Sequence, residues 1–434
     1  MNLKIRLIVM NFLEFAVWGA YLTSMGRYLS QVGMGSHIGW FYSVQGFASL
    51  CMPALMGIVA DRWMEAQRVY GLCHFLAGSL MLAVSMYGLS AGADVSFPLL
   101  FTLYTLSIAF YMPTVALANS VAYSALDKAR LDAVKVFPSI RVFGTIGFIC
   151  TMILIDLIGF QAGPKQFAVS GVLGLLLAAY SFTLPRCAVN RKANTNSLVG
   201  ALGLRAFSLF KEKKMAVFFI FSMLLGVSLQ ITNGYANPFI ATFAEIPFYK
   251  ETFGVQHANI LISISQMSET CFILLIPFCL NRFGIKRVML MAMLAWVLRF
   301  GLFGAGNPGD GVWMFILSMI VYGIAFDFFN ISGSLFVDRE TNPEIRSSAQ
   351  GVFMMMTNGL GASIGMLTAQ TVVNRTVYSQ IADPAAQLAG WQTAWYIFAG
   401  YALAVTILFA IFFRYKHEPV KNSEHGKFNP TAER

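Results

Sequence analysis

Charge is what this sequence has least of. Of 434 residues, 12% are Asp, Glu, Lys or Arg, while 57% are hydrophobic. A soluble domain carries charge on about a quarter to a third of its surface, so a water-soluble fold is excluded. Acid is scarcer than base, 20 residues against 30, for a net charge of +10. The basic residues sit in short clusters between apolar runs and form no basic face, which sets nucleic acid aside as a partner. Cysteine is sparse as well. Of Cys51, Cys73, Cys150, Cys187, Cys271 and Cys279, five lie in apolar runs, and no spacing suggests a zinc site or a disulfide frame. They read as small core residues, and no metal is expected. No nucleophile–base pair, metal cluster or phosphate loop is found, so neither an enzyme nor a cofactor protein is expected. The glycines Gly359, Gly361 and Gly365 lack dinucleotide spacing and read as close helix packing. No cleavable signal peptide is evident, because Lys4 and Arg6 lead into a first apolar run too long for one.

What the sequence has is long apolar runs. Mean hydropathy is +0.65. About 20 apolar residues cross a bilayer, and the chain holds a dozen such runs, making it an all-α integral membrane protein of twelve transmembrane helices. The first six are expected at Leu7–Tyr28, Ile38–Val59, Val69–Leu89, Phe97–Ala122, Ile140–Ile158 and Phe167–Leu184. The second six are expected at Met215–Ile240, Ile260–Leu280, Val288–Phe303, Val312–Phe336, Val352–Val372 and Trp391–Phe413. Between the spans, loops opposite the N-terminus hold only Arg27, Lys165, Lys250 and Arg375, and nearly all other Lys and Arg lie on the N-terminal side. The positive-inside rule then makes both termini cytoplasmic. A basic loop separates two six-helix halves. Residues 1–185 are expected to form the first bundle, 186–213 a cytoplasmic linker, 214–415 the second bundle and 416–434 a polar, disordered tail. Leu198–Phe210 of the linker suits a short helix on the membrane surface. A weak repeat supports duplication. Gly57 to Trp63, after the second span, and Leu280 to Arg287, after the eighth, are both short basic turns. Two matched halves place a substrate between them near mid-membrane.

A charge inside the bilayer costs about 3 kcal/mol or more and is a functional candidate by default. Six fall in the spans: Glu14, Arg141, Asp156, Glu269, Arg299 and Asp327. Arg141, Thr145 and Phe148, spaced i, i+4, i+7, form one stripe on the fifth span; Arg141 serves a site there or snorkels as an anchor. Gly144 and Gly147 allow close packing. Gln230 and Asn233 on the seventh span pair two amides that can read a base edge or hold neighbouring helices together. Gln266 and Glu269 repeat that spacing on the eighth. A buried carboxyl group is cheaper neutral than charged, so Glu269 is a proton carrier or the ion-pair partner of Arg299. On the tenth span Tyr322 and Phe326 share an aromatic face suited to stacking, and Asp327 points about 100° away from Phe326. Asp156 is expected in water at the outer end of the fifth span. His74 reads as a packed polar residue. The inventory lacks the cationic cluster that phosphate needs. It fits a neutral substrate with a flat ring and hydroxyls, such as a nucleoside, and a sugar or another neutral polar metabolite almost as well.

A resemblance separates the two. The turn from Gly57 to Arg62 resembles the signature loop of the major facilitator superfamily, with Trp63-Met64 where its usual glycine stands and Asn281 in place of the acid in the second copy. Met52 to Asp61, Pro138 to Phe148, Leu225 to Asn233, Ser263 to Glu269, Ser318 to Phe336 and Arg346 to Gly351 are similar to the bacterial nucleoside:proton symporters of that superfamily. The resemblance implies the major facilitator fold and proton-coupled nucleoside uptake across the inner membrane, with no cofactor beyond the proton. It further implies a pocket of Arg141, Thr145, Phe148, Gln230, Asn233, Gln266, Glu269, Tyr322 and Phe326. Asp327 and Glu269 would carry the coupling proton. Glu14 is a further candidate, standing where the family carries Gln. The expected partners are nucleoside, protons and membrane lipid, and the chain is expected to act as a monomer.

Overall fold

The computed structural model describes residues 2–187, 204–342, 345–380 and 383–415. The tail 416–434, the linker stretch 188–203 and the side chains of Asp61 and Arg62 lie outside the described residues. Of the expected surface segment, Leu204–Lys211 is a 3-10 helix. Its Phe210 packs on Phe219 of the seventh span at 5.2 Å between ring centroids.

The first span is α1 (Leu3–Gly19) and α2 (Met25–Gln31), and the second is α3 (Ile38–Arg62). The third to sixth are α4 (Ala66–Ala91), α5 (Phe97–Lys128), α6 (Ala133–Leu157) and α7 (Lys165–Ser181). The seventh is α8 (Lys213–Leu229) followed by α9 (Ile231–Thr242). The eighth is α10 (Ala258–Phe272) continuing into α11 (Ile276–Phe283). The ninth and tenth are α12 (Ile285–Ala305) and α13 (Val312–Glu340). The eleventh joins α14 (Arg346–Met354) to α15 (Ala362–Thr376) through a π-helical stretch, Met355–Gly361. The twelfth is α16 (Pro384–Phe412). Ten of these are long and apolar enough to cross a membrane among the described residues. The other two are the interrupted first span and the 17-residue sixth. Leu274, Phe278, Leu298, Ile407 and Phe412 stand exposed on the outside, as a lipid-facing surface requires.

Four spans differ from the continuous helices expected, the eighth through its 3-10 turn Ile273–Leu275. The first turns between Gly19 and Met25. Freed backbone groups inside a membrane must find partners within the protein, and here the Tyr42 hydroxyl donates to the Leu22 carbonyl. The seventh is interrupted at Gln230, and the eleventh widens into its π stretch.

The repeat suspected from two basic turns is written into the packing. The first span packs on the fifth, the third on the fourth and sixth, and the second on the fourth. In the other half the seventh packs on the eleventh, the ninth on the tenth and twelfth, and the eighth on the tenth. Adding six to each span number turns one set into the other. Across the halves the second meets the eleventh, the eighth meets the fifth, and the first meets the seventh. The same shift exchanges the first two of these pairs, which is what a pseudo-twofold axis between the halves produces.

Glycines set the closest crossings. A Cβ on Gly147 would collide with the backbone of Phe12, and one on Gly19 with the backbone of Phe148. In the other half Gly226 and Gly361 face one another's backbone across the seventh and eleventh spans. A backbone cannot yield as a flexible side chain can. Gly147→Ala is therefore expected to lower the melting temperature in detergent by several degrees, at a cost of about 1–3 kcal/mol from overpacking. Gly301→Ala, with nothing within 4 Å of the added carbon, is expected to leave it unchanged. Differential scanning fluorimetry on the two variants checks this.

Candidate functional site

A cavity of about 260 Å³ lies between the halves. The helix stripe on the fifth span supplies Arg141, Thr145 and Phe148 to its wall. Arg141 does not reach toward the membrane surface as an anchor would. Its guanidinium lies 3.9 Å above the Phe15 ring, and it is within electrostatic reach of Glu269, Glu14 and Asp327. Gly144 makes room for this stacking, since a Cβ there would press on both Phe15 and Arg141.

The C-terminal half supplies the remaining six side chains singled out from the sequence. The interruption at Gln230 turns Gln230 and Asn233 into the cavity. Asn233 Nδ2 donates to Gln230 Oε1 at 2.9 Å. That bond uses one donor and one acceptor and leaves the Asn233 carbonyl and the Gln230 amide nitrogen for a guest. Gln266 and Glu269 line the wall from the eighth span. Gln266 is buried, and its Oε1 has no hydrogen-bond partner among the described residues. Tyr322 and Phe326 stack at 5.7 Å with 20° between their planes and face the same space. All nine residues therefore meet in one chamber.

The alternative pairing of Glu269 with Arg299 is not what the structure has. Arg299 donates to the Ser318 carbonyl at 2.9 Å and to Thr232 Oγ1 at 3.1 Å. It also lies 4.4 Å above the Tyr322 ring. It holds the aromatic wall from behind, and Glu269 enters no ion pair among the described residues. Asp327 is buried just off the cavity, and its Oδ2 has no hydrogen-bond partner among the described residues. Glu14 does not line the cavity. It is fully buried inside the N-terminal half against Tyr70, His74 and Thr114.

Sequence reasoning missed Trp18, Gln45, Ser49 and Asn358, which also line the chamber. Gln45 had a readable signal, as a lone amide within an apolar run. Its Nε2 donates to the Tyr104 hydroxyl at 2.8 Å.

Asp156 was expected in water. It is 3% exposed instead, because its partners come from the other half. Oδ1 pairs with His257 Nδ1 at 2.6 Å, and Oδ2 accepts from the backbone N–H groups of Asn259 at 2.9 Å and Ile260 at 3.2 Å. A carboxylate from the fifth span thus caps the exposed N–H groups and positive dipole end of α10. Around it Gln161 donates to the Gln256 carbonyl, Thr23 to Asn259, and Gln370 accepts from the Gly39 N–H. Each of these bonds between halves lies toward the face opposite the termini. These bonds latch the chamber on the face opposite the termini.

The profile of the Nucleoside H+ symporter family matches residues 1–418. The chain is 46% identical over 426 residues to xanthosine permease of Escherichia coli (strain K12), covering 97% of this chain and 98% of that one. It is 46% identical over 421 residues to nucleoside permease NupG of the same organism, covering 96% and 97%. A crystal structure of nucleoside transporter NupG, 44% identical, superposes with a TM-score of 0.86 over 96% of this chain and all of that one. A D-xylose-proton symporter, at 13% identity and a TM-score of 0.68, shares the fold alone. A multi-pass membrane protein of two repeated six-helix halves, this chain belongs to the nucleoside H+ symporter family and has the major facilitator fold.

Proposed function

We propose that this chain carries nucleosides inward across a bacterial inner membrane together with protons, by alternating access, with both termini cytoplasmic. The observation that carries the reading is the chamber itself, where stacked aromatic rings, paired amides and a carboxylic acid converge between the halves. Tyr322 and Phe326 cover a flat base. The free carbonyl of Asn233 and amide nitrogen of Gln230 meet its edge, and Glu269 and Gln266 accept from ribose hydroxyls. Arg141 balances the carboxylates in its absence and in its presence. A single chain encloses the whole chamber, which supports a monomer as the working unit.

The coupling acids are Asp327 and Glu269. Each lies in the C-terminal half in no ion pair among the described residues, and an ionised carboxylate so placed resists transfer through an apolar barrier. A proton from the outer side neutralises it, the neutral carrier binds nucleoside and rocks, and both are released inside. With the termini cytoplasmic, the latch lies toward the outer face.

The test is radiolabelled uridine uptake into proteoliposomes. Unlabelled nucleosides are expected to compete, and hexoses and pentoses to have no effect. Competition by sugars alone would overturn the reading. Gln230→Ala and Asn233→Ala are each expected to raise the uridine KM about tenfold, the loss of roughly one hydrogen bond to a neutral partner. Initial-rate kinetics check this.

A further inference from the structure

Glu14 is the one acid within the spans that the mechanism above leaves without work, and its surroundings differ from those of Asp327 and Glu269. Three polar side chains converge on its carboxyl group. The Tyr70 hydroxyl reaches Oε2 at 2.7 Å, His74 Nε2 reaches Oε2 at 2.7 Å, and the Thr114 hydroxyl reaches Oε1 at 2.7 Å. Its backbone carbonyl accepts from the Tyr111 hydroxyl at 2.8 Å. Glu14 and His74 are both 0% exposed. The other ring nitrogen, His74 Nδ1, has no hydrogen-bond partner among the described residues. His74 also lines a small void of about 10 Å³ together with Tyr111 and Ser107. His74, read from the sequence as a packed polar residue, is buried and takes Glu14 as its hydrogen-bond partner.

An acid and an imidazole in contact share protons as a unit. Whichever atom carries it, the pair is neutral with one shared proton and singly negative without it. That difference is felt at the chamber. Phe15, the next residue, lies under the Arg141 guanidinium. Arg141 is within electrostatic reach of Glu14 on its own half and of Glu269 and Asp327 on the other. The remaining titratable groups around Glu14 are Tyr70 and Cys73 on the third span and Tyr111 on the fourth. The sixth span meets the first through the uncharged Ser170, which donates to the Val17 carbonyl at 2.8 Å. Arg141 is therefore the one basic side chain within reach of this pair among the described residues. A buried pair that turns neutral leaves Arg141 with counter-charges on the opposite half only.

We propose that Glu14 and His74 form a second proton-holding pair, inside the N-terminal half, and that its gain of one proton hands Arg141 over to Glu269 across the chamber. The pair itself is independent of what is transported. Its effect on uptake rests on the transport reading above.

The test separates the two. Purified protein in lipid vesicles, without substrate, is examined by infrared difference spectroscopy between about pH 5 and 8. Wild type is expected to show a carboxyl and imidazole difference signal that Glu14→Gln and His74→Gln each remove. Tyr70→Phe, which keeps both titrating groups and loses one hydrogen bond, is expected to keep the signal and move its midpoint. A difference spectrum unchanged in Glu14→Gln overturns the proposal, as does one unchanged in His74→Gln. In uridine uptake, His74→Gln is expected to flatten the pH dependence across that range, with KM at the optimum within about threefold of wild type, since His74 is off the chamber wall. A pH profile superposing on wild type overturns the link to Arg141. Loss of uridine uptake in the wild type while the infrared signal persists would strike the transport reading and leave the pair standing.

Discussion

Asp327→Asn is expected to abolish accumulation of nucleoside against its gradient and to leave exchange of labelled for unlabelled nucleoside intact. Asp327 is buried with an oxygen that no described residue satisfies, so the charged form is costly and the protonated form is cheap. Asparagine copies the shape of the protonated form and can neither take up nor release a proton. The carrier then equilibrates its substrate without spending the proton gradient. One pH unit is worth 1.36 kcal/mol. An imposed gradient of about one unit, with one proton per substrate, thus supports about tenfold accumulation in wild type, and none in the variant. Glu269→Gln is expected to behave alike in accumulation but to bind more weakly, because Glu269 also lines the chamber. Proteoliposomes loaded at one pH and diluted into another give both numbers. Accumulation by both variants at the wild-type level would remove these acids from the coupling step.

The second large effect is expected at the latch. Asp156→Ala removes the acceptor for two backbone donors and for His257 at once. Bonds to a charged acceptor contribute about 1.5–3 kcal/mol each. Even about 2 kcal/mol in total changes the balance between closed and open outer faces about thirtyfold. Spin labels at Ala93 and Lys250, exposed positions on that face in opposite halves, are expected to show a longer distance in Asp156→Ala by pulsed electron resonance. A matching distance distribution in wild type and variant would mean that the carboxylate does not hold the face shut. Uptake is expected to fall in the same variant, since an outer face that rarely closes slows the cycle.

These residues mark where the sequence could be read and where it could not. Spacing on a single helix was legible. Arg141, Thr145 and Phe148 share a stripe because a helix repeats every 3.6 residues, and Gln230 with Asn233, and Gln266 with Glu269, follow the same rule. The rarity of polar groups in apolar runs then picked out the helices that meet at the chamber. What depended on a partner from another helix was hidden. Asp156 looked like a surface acid because the backbone it caps is about a hundred residues away in the other half. Charge alone left Arg299 open as an alternative partner for Glu269, whereas a carbonyl, a hydroxyl and a ring satisfy Arg299. Glu14 stood out only as a further candidate for proton coupling, because neither Tyr70 nor His74 can be assigned to it by spacing. Helix interruptions were equally silent. The expected spans run straight through Gly19–Met25 and across Gln230, where no proline marks a break, and a tertiary hydrogen bond from Tyr42 to Leu22 helps make the first break tolerable.

The π stretch Met355–Gly361 carries a further consequence. An i→i+5 turn holds one residue more than an α turn, so everything on its far side is rotated by about 100° relative to an unbroken α-helix. Asn358 reaches the chamber from within this stretch. Deleting a single residue there would let the segment relax into α register, swing the amide of Asn358 away from the guest and leave the helix ends unmoved. In this span, specificity is stored in the count of residues as much as in their identity.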